Sequence, residues 1–99
     1  MFCGMASSIA RSGKMEELVA AASDHAEALR RQPGCLAAYV LTERGGSSQI
    51  SLSIFESEES LSRAMEATRS VIVAHDIPRL VHGTPVFRML DVRWPPAVD

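Results

Sequence analysis

The sequence predicts a ferredoxin-like α+β sandwich, with two helices on one face of an antiparallel four-stranded sheet. Two stretches carry apolar residues at spacings of three and four, the mark of amphipathic helices. Shorter apolar or alternating stretches around them give the order strand, helix, strand, strand, helix, strand, the split βαβ pattern. Apolar residues also occupy both faces of the second and fourth strands. The sheet's far face therefore needs a cover, and a single copy has no element left to supply it. A second copy packed sheet against sheet does, so a homodimer is expected.

Taken in order, Met1–Ala10 mixes small and apolar residues and reads as a first strand, interrupted at Ser12-Gly13. From Lys14 to Gln32 the residues Met15, Leu18, Val19, Ala22, Ala26 and Leu29 recur at helical spacing. Glu16 and Glu17 open that helix and Arg30 and Arg31 close it, each sign matching the helix dipole. Pro33-Gly34 stops it. Cys35–Arg44 is mostly apolar and reads as a strand covered on both faces. Gly45-Gly46-Ser47-Ser48 is a hairpin connection. Ile50, Leu52 and Ile54 then alternate with Ser51, Ser53 and Phe55, a period of two. Ser57 is the expected N-cap of a second helix, with Glu58 and Glu59 in its first turn. Its apolar face runs Leu61, Ala64, Met65, Thr68, Val71, Ile72. Pro78 breaks it, and an extra turn is expected over Arg79–His82, before Gly83. Pro85–Trp94 is the last strand. One domain over residues 1–94 and a short tail over 95–99 follow.

The 99 residues leave room for one core. A hydrophobic share of 46% with 22% charged residues is that of a folded chain, not a disordered one. The net charge of −2 argues against nucleic acid or an anionic membrane as partner, since both select a basic surface. No apolar run reaches the roughly 18 residues of a membrane span. The first ten residues lack the basic start of a signal peptide, so a cytoplasmic location is expected. Cys3 and Cys35 have no zinc or CxxC spacing and read as reduced, apolar fillers. The three histidines lack HxH or HxxxH spacing, so no metal site is expected. There is no P-loop or GxGxxG run for a nucleotide.

Three separated motifs, in order, carry a resemblance. They are Gly13-Lys14 leading into Glu16-Glu17-Leu18, the turn Gln32-Pro33-Gly34-Cys35-Leu36, and Phe55-Glu56-Ser57-Glu58-Glu59-Ser60-Leu61 opening the second helix. Over about residues 2 to 92 the chain resembles the antibiotic biosynthesis monooxygenase family, of the dimeric α/β-barrel superfamily. The resemblance implies a barrel-forming homodimer and a reaction class that includes cofactor-free quinol and anthrone monooxygenases and haem-degrading enzymes. Members usually have Trp where this chain has Phe55. Many have a pocket-facing His or Trp about nine residues further on, where this chain has Ala64 or Met65. A His late in the second helix is matched by His75. The haem-degrading members use an Asn on the first strand, and this sequence contains no Asn, so haem degradation is not expected.

Candidate site residues follow from the two readings together. His25 continues the buried stripe of the first helix and His75 that of the second, so both can line a pocket between helices and sheet. A neutral imidazole suits proton abstraction from a phenol or quinol. Arg88, between Val86 and Leu90 on an apparently buried face, can steady an oxyanion or pair with Asp91 or Glu43. The catalytic candidates are His75 and Arg88. The candidates for contact with a small apolar or aromatic substrate are His25, Tyr39, Phe55, Met65 and Ile72. The bland alternative is that these side chains pack the core. The functional expectation is a cofactor-independent monooxygenase on a small aromatic or quinol-type molecule. Its alternatives are a non-catalytic dimeric ligand-binding or interaction module, and an isomerase on the same scaffold.

Overall fold

In the computed structural model, which describes residues 1–96, the first strand β1 (Phe2–Ala10) lies inside the sheet. It is followed by α1 (Met15–Arg30), β2 (Cys35–Thr42), β3 (Ser48–Phe55), α2 (Glu58–Ala67), α3 (Arg69–Ala74), a 3-10 turn at Ile77–Arg79, and β4 (Val81–Asp91). The strands run in the order β2-β3-β1-β4, every neighbour antiparallel. This is the predicted ferredoxin-like βαββαβ arrangement. Its shortest dimension is 19 Å, the thickness of one sheet and one helix layer. No helix among the described residues is long and apolar enough to cross a membrane. Of the tail expected over 95–99, residues 97–99 lie outside the described ones.

Three of the differences from the sequence reading bear on the site. The second helix is broken at Thr68 into α2 and α3, and the Thr68 hydroxyl donates to the carbonyl of Ala64 at 2.8 Å beside the backbone N–H at 3.0 Å. The extra turn covers Ile77–Arg79, earlier than expected. β4 starts at Val81 and runs through Gly83 and Pro85, because the register with β1 shifts between Ser7↔Val86 and Ile9↔His82. Between those pairs three β4 residues, Gly83, Thr84 and Pro85, oppose Ser8 alone on β1, and Gly83 has φ +77°.

Ser57 is the N-cap of α2, accepting from the Ser60 amide at 3.1 Å, while the Ser60 hydroxyl takes the Ser57 amide at 3.2 Å. Gly34 joins α1 to β2 at φ +86°, and a Cβ there would come within 2.7 Å of the Ser60 Cβ. That turn admits only glycine, for reasons of both backbone and space.

The sheet register sorts the side chains by face. A Cβ on Gly4 would meet Ser53 Oγ at 3.1 Å and Leu61 Cδ1 at 3.3 Å, so Gly4 looks into the helices. Ala6 and Ser8 share its face, as do their partners on β3, Ser51 and Gln49, and Ala38 of β2. The opposite face takes Met5 with Leu52 and Arg88, Ser7 with Ile50 and Val86, Tyr39 opposite Leu52, and Leu41 opposite Ile50. In the middle of β1 and β3 the larger side chains thus lie away from the helices and the smaller ones toward them.

The core divides accordingly. One cluster, Ala10, Leu18, Ala21, Leu80 and Val81, sits at the start of α1; another, Leu29, Phe55, Leu61 and Ala64, sits at its end.

Candidate active site

Between the two clusters, the middle of α1 presents Ala22, His25 and Ala26 to the Gly4, Ala6 and Ser8 stretch of β1. Small residues on both sides cannot fill the layer, and a cavity of about 250 Å³ remains. Met65 and Ile72 wall it from α2 and α3, Ile77 and Phe87 from the end of the chain. No Asp, Glu, Lys or Arg lines it, and its polar side chains are His25, Ser8, Gln49, Ser51 and Ser53. Gln49 donates to the Ser51 hydroxyl at 2.9 Å, so even these polar groups are mutually engaged.

His25 is the chemically distinctive member. Its Nε2 lies 2.9 Å from the Thr68 hydroxyl, across from α1 to the break between α2 and α3. Burial pushes its pKa below the usual 6.5, which keeps the imidazole neutral at physiological pH. Burial also pushes the thiols of Cys3 and Cys35 up, so neither is a nucleophile near neutrality. Both cysteines are free, as the sequence reading expects. Among the described residues no group of three or more His, Cys, Asp or Glu is placed to hold a metal ion.

The structure separates the other candidates. His75 does not line the cavity: it caps α3 and its Nε2 sits 2.9 Å from Asp24 Oδ2, clipping α3 to the outer side of α1. Helix two is interrupted at Thr68, so the phase that would carry His75 inward is lost. Arg88 is exposed on β4, with its side chain on the sheet face opposite the cavity, across from Met5. It has no ion-pair partner among the described residues, Asp91 and Glu43 included. Tyr39 borders the cavity from β2, but it pairs with Leu52 on that same far face and is 55% exposed. Phe55 is fully buried in the second core cluster and does not reach the cavity. His25, Met65 and Ile72 are the candidates that share the cavity.

Sequence reasoning missed Thr68 as a partner of His25, and it missed Gln49, Ser51 and Ser53 as the cavity floor. A signal was present. Gly4, Ala6, Ser8 on one strand and Ser51, Ser53 on another are small residues at period two, and their shared face cannot be close-packed.

Comparison with known proteins agrees with this architecture. The structure of Rv0793 from Mycobacterium tuberculosis superimposes with a TM-score of 0.79 at 13% identity, covering 99% of this chain and 96% of that one. NE2512, a protein of unknown function from Nitrosomonas europaea, gives 0.80 at 13% identity over 99% and 94%. A mutant of SnoaB, a cofactor-independent oxygenase from Streptomyces nogalater, gives 0.78 at 17% identity over 96% and 97%. At these identities the likeness is one of fold. No curated protein matches the chain in sequence. The model of the family described as antibiotic biosynthesis monooxygenase matches residues 1–70, well over half the chain, and this protein belongs to that family.

Proposed function

We propose that this chain is a cofactor-independent monooxygenase for a small, uncharged phenol or quinol, working as a homodimer whose two sheets close a barrel. One observation carries the reading: an apolar cavity without a charged side chain, in which His25, kept neutral by burial, is the one lining imidazole. An ionised ligand would be desolvated there with nothing to pair it, so the substrate is neutral. At about 250 Å³ the space lies below the roughly 300–1,000 Å³ of drug-sized sites, which favours one or two rings.

In this mechanism His25 takes a proton from the substrate hydroxyl, and the anion, carrying charge on ring carbon, reduces oxygen directly. A hydroperoxide forms at that carbon and loses water to leave a carbonyl, so one oxygen atom stays and the other departs as water. The role first expected of His75 passes to His25, and no role is carried over for Arg88, which is on the other face of the sheet. Family membership supports the reaction class, and the name of the similar SnoaB protein supports the absence of a cofactor. Residues 1–94 make up one subunit's working domain. The dimer is supported by the far sheet face, where Ile9, Tyr39, Leu41, Val86 and Leu90 are 41–55% exposed.

The test is oxygen uptake by the purified protein against a panel of one- to three-ring quinols, catechols and anthrones. Uptake above the uncatalysed rate, lost by 10²-fold or more in His25→Ala and retained in His75→Ala, is expected. Loss in His75→Ala alone would return the proton transfer to that residue. No uptake by folded protein that nevertheless binds a panel member would make it a binding module.

A further inference from the structure

Thr68 is buried, at 2% exposure, and its hydroxyl stands between two groups. Oγ1 is 2.8 Å from the carbonyl oxygen of Ala64 and 2.9 Å from Nε2 of His25. A hydroxyl has one proton to give, and a carbonyl can only accept. The Thr68 proton therefore goes to Ala64, and only lone pairs remain to meet the imidazole. Nε2 must then carry the ring's proton and donate it. Nδ1 is left as the unprotonated nitrogen, and it has no hydrogen-bond partner among the described residues. The neighbouring charges are engaged elsewhere or point outward. Asp24, next to His25 on α1, holds His75, and Arg69, next to Thr68 on α3, is exposed.

We propose that Thr68 is a positioning residue: it locks His25 in the Nε2–H tautomer and so leaves Nδ1 as the atom that accepts a proton from a hydroxyl-bearing molecule in the cavity. When that proton moves, the substrate O–H bond breaks and an Nδ1–H bond forms. The resulting imidazolium keeps its Nε2–H bond to the same threonine lone pair, so nothing needs to reorganise around it. The β-branched side chain has few rotamers, and the Ala64 carbonyl also accepts the Thr68 backbone N–H at 3.0 Å. The break in the second helix is thus what points a hydroxyl at the imidazole. The tautomer stands on the two hydrogen bonds; only its catalytic consequence rests on the function proposed above.

The experiment is long-range proton–nitrogen NMR of the full chain with labelled histidine, the His25 signals being identified by their loss in His25→Gln. Wild-type protein is expected to show His25 with a protonated Nε2 and a bare Nδ1. Thr68→Val, which keeps the shape without the hydroxyl, is expected to mix the tautomers, and Thr68→Ser to restore the single form. Thr68→Ala makes the same comparison if the valine variant does not fold. A wild-type His25 protonated at Nδ1, or an unchanged tautomer without the hydroxyl, overturns the proposal. In oxygen uptake, Thr68→Val is expected to lower kcat about tenfold or more with KM little changed, and Thr68→Ser to recover it. An intact tautomer pattern in protein that consumes no oxygen would sink the oxygenase reading and leave the positioning role standing.

Discussion

His25 shows how one position changes meaning with its surroundings. On a helical wheel it is a polar interruption of an apolar stripe; in the fold it is the polar centre of an apolar cavity. Its depressed pKa has a consequence for stability. The unfolded chain takes up a proton near pH 6.5 while the folded one resists it, so protonation favours unfolding. The contribution is fully present above pH 6.5 and is lost as pH falls through the lower folded value. Urea unfolding midpoints are therefore expected to drop between pH 7.5 and 5.5, and to drop less in His25→Gln. An equal drop in both proteins would show that His25 does not titrate on unfolding. No lining carboxylate offsets the burial of His25 with an opposite charge.

Among the elements, the helical layer after β3 is assembled from short pieces with explicit ends. α2 has ten residues and α3 six, too few for stability on propensity alone, so caps and cross-links hold them. The reciprocal Ser57 and Ser60 bonds satisfy the start of α2. Ser57→Ala is expected to lower stability by about 1 kcal/mol, measurable by chemical denaturation, with the fold and the cavity unchanged. His75 with Asp24 ties α3 to α1, and Arg79 with Glu17 at 2.9 Å ties the 3-10 turn to the same helix. Arg79 and Lys14 together hold the Glu17 carboxyl below its usual range. These exposed contacts set register more than they add stability. His75 belongs with them, as a clip between helices.

For the whole molecule, the dominant fact is a sheet with apolar residues on both faces and helices on only one. The chain is one sheet and one helix layer thick, and Ile9, Tyr39, Leu41, Val86 and Leu90 are left in contact with solvent. Buried between two copies, each would contribute at roughly 25 cal/mol per Å² of apolar surface removed from water. A charge placed on this face is expected to stop association. Light scattering should give a dimer mass for the wild type and a monomer mass for Leu41→Glu, with helical content retained. A wild-type monomer would leave the exposed face unexplained and remove the barrel.

The element order, the phase of the first helix, the Ser57 cap and the two-sided sheet were legible in the chain because they are local: period, capping chemistry and glycine turns act within a few residues. The face each strand residue takes was not. Ile50, Leu52 and Ile54 alternate with Ser51 and Ser53 without saying which set meets the helices, and the register of β3 against β1 and β2 turns the first set to the far side and gives Ser51 and Ser53 to the helices. That single choice of face carried Arg88 and Tyr39 away from the cavity. The break of the second helix at Thr68 then moved His75 outside, and brought the Thr68 hydroxyl to His25 from 43 residues away. Pairings at that distance depend on packing and strand register, which no window of sequence contains, and they decided which histidine faces the cavity.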